Sequence, residues 1–131
     1  MISRQYRFHS YNSVQRVYQR GNRVRGLLIS LQYMTNERRQ TPRLAVVVSR
    51  KVNKSAVKRN RIRRRLYEVI RSYQTQIDKP YDIVFTVYNE DINKLSEAEL
   101  TKLVGDQLYS AHILTKQPQT AHHDIVGNKD S

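Results

Sequence analysis

The chain has 131 residues, of which 38% are hydrophobic, 27% are charged and none is cysteine. That is one domain's worth of length and one small core. Disulfides and thiolate chemistry are excluded, and no apolar run reaches the roughly 18 residues of a helical membrane span.

The charge is unevenly placed. Net charge is +13, but residues 1–65 carry 18 basic side chains against the single acid Glu37, whereas residues 66–131 carry 6 basic and 10 acidic ones. A field concentrated in this way attracts a polyanion. The first residues show no apolar core of a secretory signal, so a reducing, cytoplasmic setting is expected.

In chain order, residues 1–10 are basic and aromatic without periodicity and read as an arm. Asn12 with Gln15 has the spacing of a capping box, and Gly21 stands where a helix would stop. Val14, Val17 and Tyr18 share a face between them, which predicts a short helix over 12–20. Leu27, Ile29, Leu31 and Tyr33 alternate with more polar neighbours and predict a half-buried strand. Leu44 to Ser49 predicts a second strand, and the short connection from the first predicts antiparallel pairing of the two.

A longer helix is expected over 54–73, with Ile62, Leu66, Val69, Ile70 and Tyr73 as its apolar stripe. Asp82 to Tyr88 is rich in β-formers and predicts a third strong strand, a candidate parallel neighbour of the strand at 44–49. Ser96 and Glu99 form a capping box for a last helix through Leu100, Leu103, Val104, Leu108 and Ala111. A domain over 1–114 followed by a disordered polar tail over 115–131 is expected. The element order indicates an α+β fold, a small mixed sheet with helices on one face.

The chemistry concentrates at residues 50–65, where nine of sixteen residues are basic and none is acidic: Arg50, Lys51, Lys54, Lys58, Arg59, Arg61, Arg63, Arg64 and Arg65. Like charges three and four apart on a helix repel one another, so phosphate is the natural compensating partner. At about 100° per residue, Asn60, Arg64, Tyr67 and Arg71 fall opposite the apolar stripe, flanked by Arg61 and Arg63. The tyrosines, among them Tyr11, Tyr18, Tyr67 and Tyr88, offer stacking planes suited to unpaired bases, which favours RNA or a single strand. The basic helix lies between strands, which disfavours a helix-turn-helix reader.

No active site of the protein's own is expected. His122, His123 and Asp124 fall in the expected tail. Glu90 with Asp91, and Glu97 with Glu99, occupy a turn and the first turn of a helix, where acids favour the helix dipole. Phosphate-loop and zinc-protease motifs are absent from the sequence.

The segment Lys58-Arg59-Asn60-Arg61-Ile62-Arg63-Arg64, preceded by Ser49-Arg50-Lys51, resembles the protein subunit of bacterial ribonuclease P. The likeness runs from Tyr6-Arg7-Phe8 to the last helix. It implies an α-β-β-β-α-β-α order like the second domain of ribosomal protein S5, with a left-handed strand-helix-strand crossover. It also implies two partners, a catalytic RNA and precursor tRNA, with no membrane and no small-molecule substrate. The holoenzyme of that family removes 5′ leaders. Chemistry belongs to the RNA and its Mg²⁺, and the protein alone holds no cofactor. Arg50, Lys51, Arg59, Asn60, Arg61, Arg63 and Arg64 match the family's basic motif. Tyr18 matches an aromatic of the leader-binding cleft, to which Tyr11, Val14 and Tyr88 are also assigned. Val14 stands where the family often has an aromatic, and Tyr67 and Tyr88 stand where it often has arginine.

Overall fold

Phe85 is fully buried in the middle strand of the sheet, and the rest of the molecule is arranged around it. The computed structural model describes residues 11–115. Its elements are α1 (Tyr11–Arg20), β1 (Asn22–Val24), β2 (Ile29–Thr35), β3 (Arg43–Val48), α2 (Ala56–Tyr73), β4 (Tyr81–Val87) and α3 (Glu97–Ser110). Short 3-10 turns at Gln74–Gln76 and Glu90–Lys94 flank β4. The expected arm and all of the expected tail beyond Thr115 lie outside the described residues.

The four strands form one sheet in the order β1-β2-β4-β3. β4 runs parallel to β3, with Val46 opposite Phe85, and antiparallel to β2, with Leu31 opposite Phe85. The parallel pairing matches the sequence expectation. The predicted antiparallel pairing of the strands near 27–33 and 44–49 does not occur, because β4 lies between β2 and β3. The physical reason is pairing along both edges. In the central place β4 forms seven residue pairs with β2 and six with β3, so its backbone groups are satisfied on both sides while Ile83, Val84 and Phe85 are fully buried.

The second correction concerns the faces of the sheet. Helices pack on both, not on one. On one face Ile29, Leu31, Leu44, Val46, Ile83 and Phe85 meet Ile62, Leu66 and Ile70 of α2 and Leu100, Val104 and Leu108 of α3. On the other, α1 places Val17 on Ala45 and Val84, with Val14, Tyr18, Met34 and Val47 packed around them. β2 is therefore buried on both faces from Ile29 to Gln32, where the alternation suggested one.

Helix ends follow local chemistry. The α1 helix includes Tyr11 and Asn12, so Asn12 lies inside it and is not its cap. Its C-terminus lands on β2 so closely that a Cβ on Gly21 would lie 2.6 Å from the carbonyl oxygens of Tyr33 and Val17. Glycine is required there by close approach. Ser55 caps α2, its Oγ accepting from the Lys58 N–H, and Ser96 and Glu99 form the expected capping box on α3. The Ser96 backbone N–H and hydroxyl hold the Glu99 carboxyl below the usual carboxylate range. After α3, His112 takes a left-handed conformation (φ 62°), and the chain folds back so that Ile113 and Leu114 donate to the Leu108 carbonyl. The strand expected from Leu27 begins two residues later. Gly26 turns tightly against Ile29 and Gln107, leaving Leu27 outside the sheet and 95% exposed.

Candidate RNA-binding surfaces

The linker from β3 into α2 is basic, yet its backbone is fixed. Val52 is buried, and its N–H donates to the Ser49 carbonyl at 3.1 Å. Asn53 Oδ1 accepts from the Ser55 N–H, while Asn53 Nδ2 donates to Glu90 at 3.1 Å. Arg59 Nη1 donates to the carbonyl oxygens of Asn53 and Lys54, both at 2.9 Å. Arg50, Lys51 and Lys54 project from this clamped loop into solvent. Charges held on a rigid backbone lose less conformational entropy on meeting phosphate.

On α2 the structure sorts the expected basic face into three groups. Lys58, Asn60, Arg61, Arg64 and Arg71 are exposed, and Arg63 is half-buried with its guanidinium donating to Asn60 Oδ1. Arg71 also approaches Glu68 at 3.8 Å across an exposed surface. Lys58 and Arg61 flank a recess shared with Glu90, Asp91 and Lys94, so part of their field is compensated there.

Two assigned residues are instead structural. Tyr67 was expected on the outer face. It is buried, and its hydroxyl accepts from the Val46 N–H on the sheet's edge strand at 3.1 Å. Arg65 turns along the flank of the helix and donates to the backbone carbonyls of Asn93 at 3.1 Å and Leu95 at 2.6 Å, with Glu97 at 3.4 Å. Its charge fastens the turn after β4 to α2 and satisfies carbonyls that burial would otherwise orphan.

A second surface lies on the opposite face of the sheet, beside α1. The Tyr18 hydroxyl and Thr86 Oγ1 are 3.0 Å apart, and Thr86 donates in turn to Gln32 Oε1 at 3.2 Å. Ser30 Oγ lies 2.7 Å from the Tyr88 hydroxyl. Tyr18 is half-buried and Tyr88 is 50% exposed, so both rings are held by one end with a face left available. Val14 packs into the small apolar cluster below them. The side chain of Tyr11 lies outside the described residues. The polar floor of Ser30, Gln32 and Thr86 was not anticipated. Its signal is the period-2 alternation itself, which sets these residues opposite Ile29, Leu31 and Phe85. Tyr88 directly follows β4, at the sheet end where β3 runs into the basic linker, so the cleft and the linker lie at the same end of the sheet.

Among the described residues, no three His, Cys, Asp or Glu side chains converge as a metal site. The His122, His123 and Asp124 group lies outside the described residues. What the two surfaces can do chemically is bind: phosphates on the basic ridge, flat rings in the cleft.

Comparison with known proteins decides the family. The family model for ribonuclease P matches residues 2–112. The chain belongs to the ribonuclease P protein family. Ribonuclease P protein components from Pseudanabaena and Synechocystis are 36% and 33% identical over 87 and 104 residues, covering 66% and 79% of this chain and 75% and 82% of theirs. The fold is also that of solved ribonuclease P proteins. The Staphylococcus aureus protein superposes with a TM-score of 0.74 at 23% identity, over 84% of this chain and 98% of that one. The Thermotoga maritima protein gives 0.64 at 21%, over 80% and 93%. Membership places the chain in tRNA processing, as a component of an endoribonuclease complex. No described helix is long and apolar enough to cross a membrane.

Proposed function

We propose that this chain binds a catalytic RNA through its basic linker and α2 ridge, and holds the 5′ leader of precursor tRNA in the cleft beside α1. The observation that carries this reading is the presence of two chemically different surfaces on opposite faces of one sheet, with the basic linker and Tyr88 at the same end of it. A general RNA grip needs only the first. Hydrolysis of the leader phosphodiester then belongs to the RNA, which uses Mg²⁺, in the cytoplasm where tRNA precursors are made. This chain's residues bind, orient and screen charge. Arg61 and Arg64 contact catalytic-RNA phosphates, and Tyr18 and Tyr88 present rings to leader bases.

Reconstitution with the catalytic RNA of the same organism tests the reading. Protein and RNA together should cleave precursor tRNA at the mature 5′ end, at lower Mg²⁺ than the RNA alone. Cleavage by the RNA-free protein would overturn the division of labour.

Two variants refine it. Arg64→Ala should weaken catalytic-RNA binding and reduce its salt dependence by about one unit of log–log slope, as expected for one lost phosphate contact. An unchanged slope would remove Arg64 from the interface. Tyr18→Ala should weaken precursor tRNA binding by about 1–3 kcal/mol relative to mature tRNA, the range for a stacked base. Tyr18→Phe keeps the ring without the Thr86 contact and should retain most of the preference. Equal losses for precursor and mature tRNA would sink the cleft assignment.

A further inference from the structure

The recess beside α2 has a volume of about 500 Å³, the size of a small-molecule site. One wall is the start of α2, where Lys58 and Arg61 lie one helical turn apart and exposed. The other wall is the turn at Glu90–Lys94, with Asn89 just before it. This second wall is fixed from several sides. Ile92 is buried beneath it, and Asn89 Oδ1 accepts from the Asp91 N–H at 2.9 Å. From α2, Arg65 donates to the Asn93 carbonyl at 3.1 Å. The acids are oriented as well, Glu90 by the Asn53 amide at 3.1 Å and Asp91 by Lys94 at 3.2 Å.

Opposite charges thus line one recess without neutralising each other across it. No ion pair joins Lys58 or Arg61 to Glu90 or Asp91 among the described residues. Each acid has one carboxylate oxygen engaged and the other without a partner there. This mixture suits neither of the simple ions. A bare phosphate meets two carboxylates, and a divalent cation meets Lys58, Arg61 and Lys94. A nucleotide satisfies both signs at once, its phosphate on the cations and the N–H donors of its base edge on the acids. Among the bases, guanine presents two adjacent donors, N1–H and the 2-amino group, which one carboxylate accepts side by side. The Asn89 and Asn93 amides suit the remaining acceptors of such a base.

We infer that this recess is a nucleobase pocket for one unpaired guanine of the catalytic RNA, its base edge on Glu90 and Asp91 and its phosphate on Lys58 and Arg61. The inference rests on the catalytic-RNA reading above and adds sequence recognition to it. Phosphate contacts along the ridge supply affinity, and the pocket fixes which position of the RNA docks against α2. Acids on a surface that binds RNA then have a purpose, as acceptors that a phosphate-binding ridge lacks.

The test measures binding of the full chain to its catalytic RNA over a range of salt, with Glu90→Gln and Asp91→Asn made singly and together. Glu90→Gln keeps an oxygen for the Asn53 contact while removing the charge. Charge alone predicts that losing an acid from a basic surface tightens RNA binding, whereas a lost base contact weakens it. The double variant should bind about tenfold more weakly, as for one lost bidentate base contact. Its salt slope should match that of the native chain, because no phosphate contact is lost. Tighter or unchanged binding would overturn the pocket. A second measurement uses catalytic RNA carrying inosine, which lacks the 2-amino group, in place of guanine at scattered positions. For the native chain, inosine at one unpaired guanine should weaken binding, and the double variant should be indifferent at that position alone. The same interference pattern for both chains would overturn the pocket, even if the variant binds more weakly, since the acids would then act only on the protein's own structure. If the native chain does not prefer the catalytic RNA over other structured RNA, the catalytic-RNA reading fails first, and the pocket with it.

Discussion

Phe85→Ala should destabilise the protein by about 3–5 kcal/mol, measured as a fall in the urea midpoint at unchanged slope. The ring is fully buried at the centre of the middle strand, opposite Leu31 on one side and Val46 on the other. Its removal leaves a cavity where β2, β3 and β4 meet the helical layer, and backbone pairing on both sides prevents the site from collapsing. A domain of this size has about 5–15 kcal/mol of stability in all, so the variant should be close to unfolded at 37 °C. Phe85→Leu, nearer in volume, should cost less than half as much. RNA that binds only the folded chain adds stability by mass action, about 2.7 kcal/mol at a hundredfold excess over Kd. The alanine variant should therefore be rescued in part by the RNA subunit. A loss under about 1 kcal/mol would contradict the central placement of β4.

Asp82→Ala should cost about 3 kcal/mol, by a different route. Asp82 is buried at the start of β4 and accepts from Arg43 across the parallel pair, and from Asn36 in the β2–β3 connection. Truncation leaves the Arg43 guanidinium, itself only 18% exposed, without its principal counter-charge. Most of the penalty is that stranded charge, so Arg43→Met in the same chain should recover a large part of it. A double-mutant cycle by thermal melting measures the coupling. Strict additivity would mean the pair does not act as a unit.

The helices were legible because their signals are local. The α2 stripe repeats at 3.6 residues and the α3 capping box needs only Ser96 and Glu99 in place. The strand order was not, because it depends on pairing between residues far apart in the chain. The connection between β2 and β3 is short enough for a hairpin, yet β4 enters between them and pairs over seven residues with β2 and six with β3. The family likeness was carried by the basic motif, and model and relatives bear it out. Charge count alone overstated the exposed ridge. Arg65 lies three residues after Ile62, about 60° around the helix from it, and so reaches the turn after β4. Tyr67 lies three residues before the buried Ile70, on an apolar arc widened by contact with β3 as well as α3. Arg59 carries the motif but commits one guanidinium nitrogen, Nη1, to the Asn53 and Lys54 carbonyls.

The insertion of β4 between its two earlier neighbours also governs the time course of folding. Neither β2 nor β3 has its main partner until residue 87 has been made, roughly fifty residues after β2, so beyond the local β1–β2 pairing the sheet is closed by long-range contacts. Such pairing forms late and slowly. During synthesis the first half of the chain, with its large excess of arginine and lysine, stands exposed with unpaired strand edges. The order in which the residues leave the ribosome thus makes prompt arrival of β4 the step that limits both misassociation with stray RNA and aggregation.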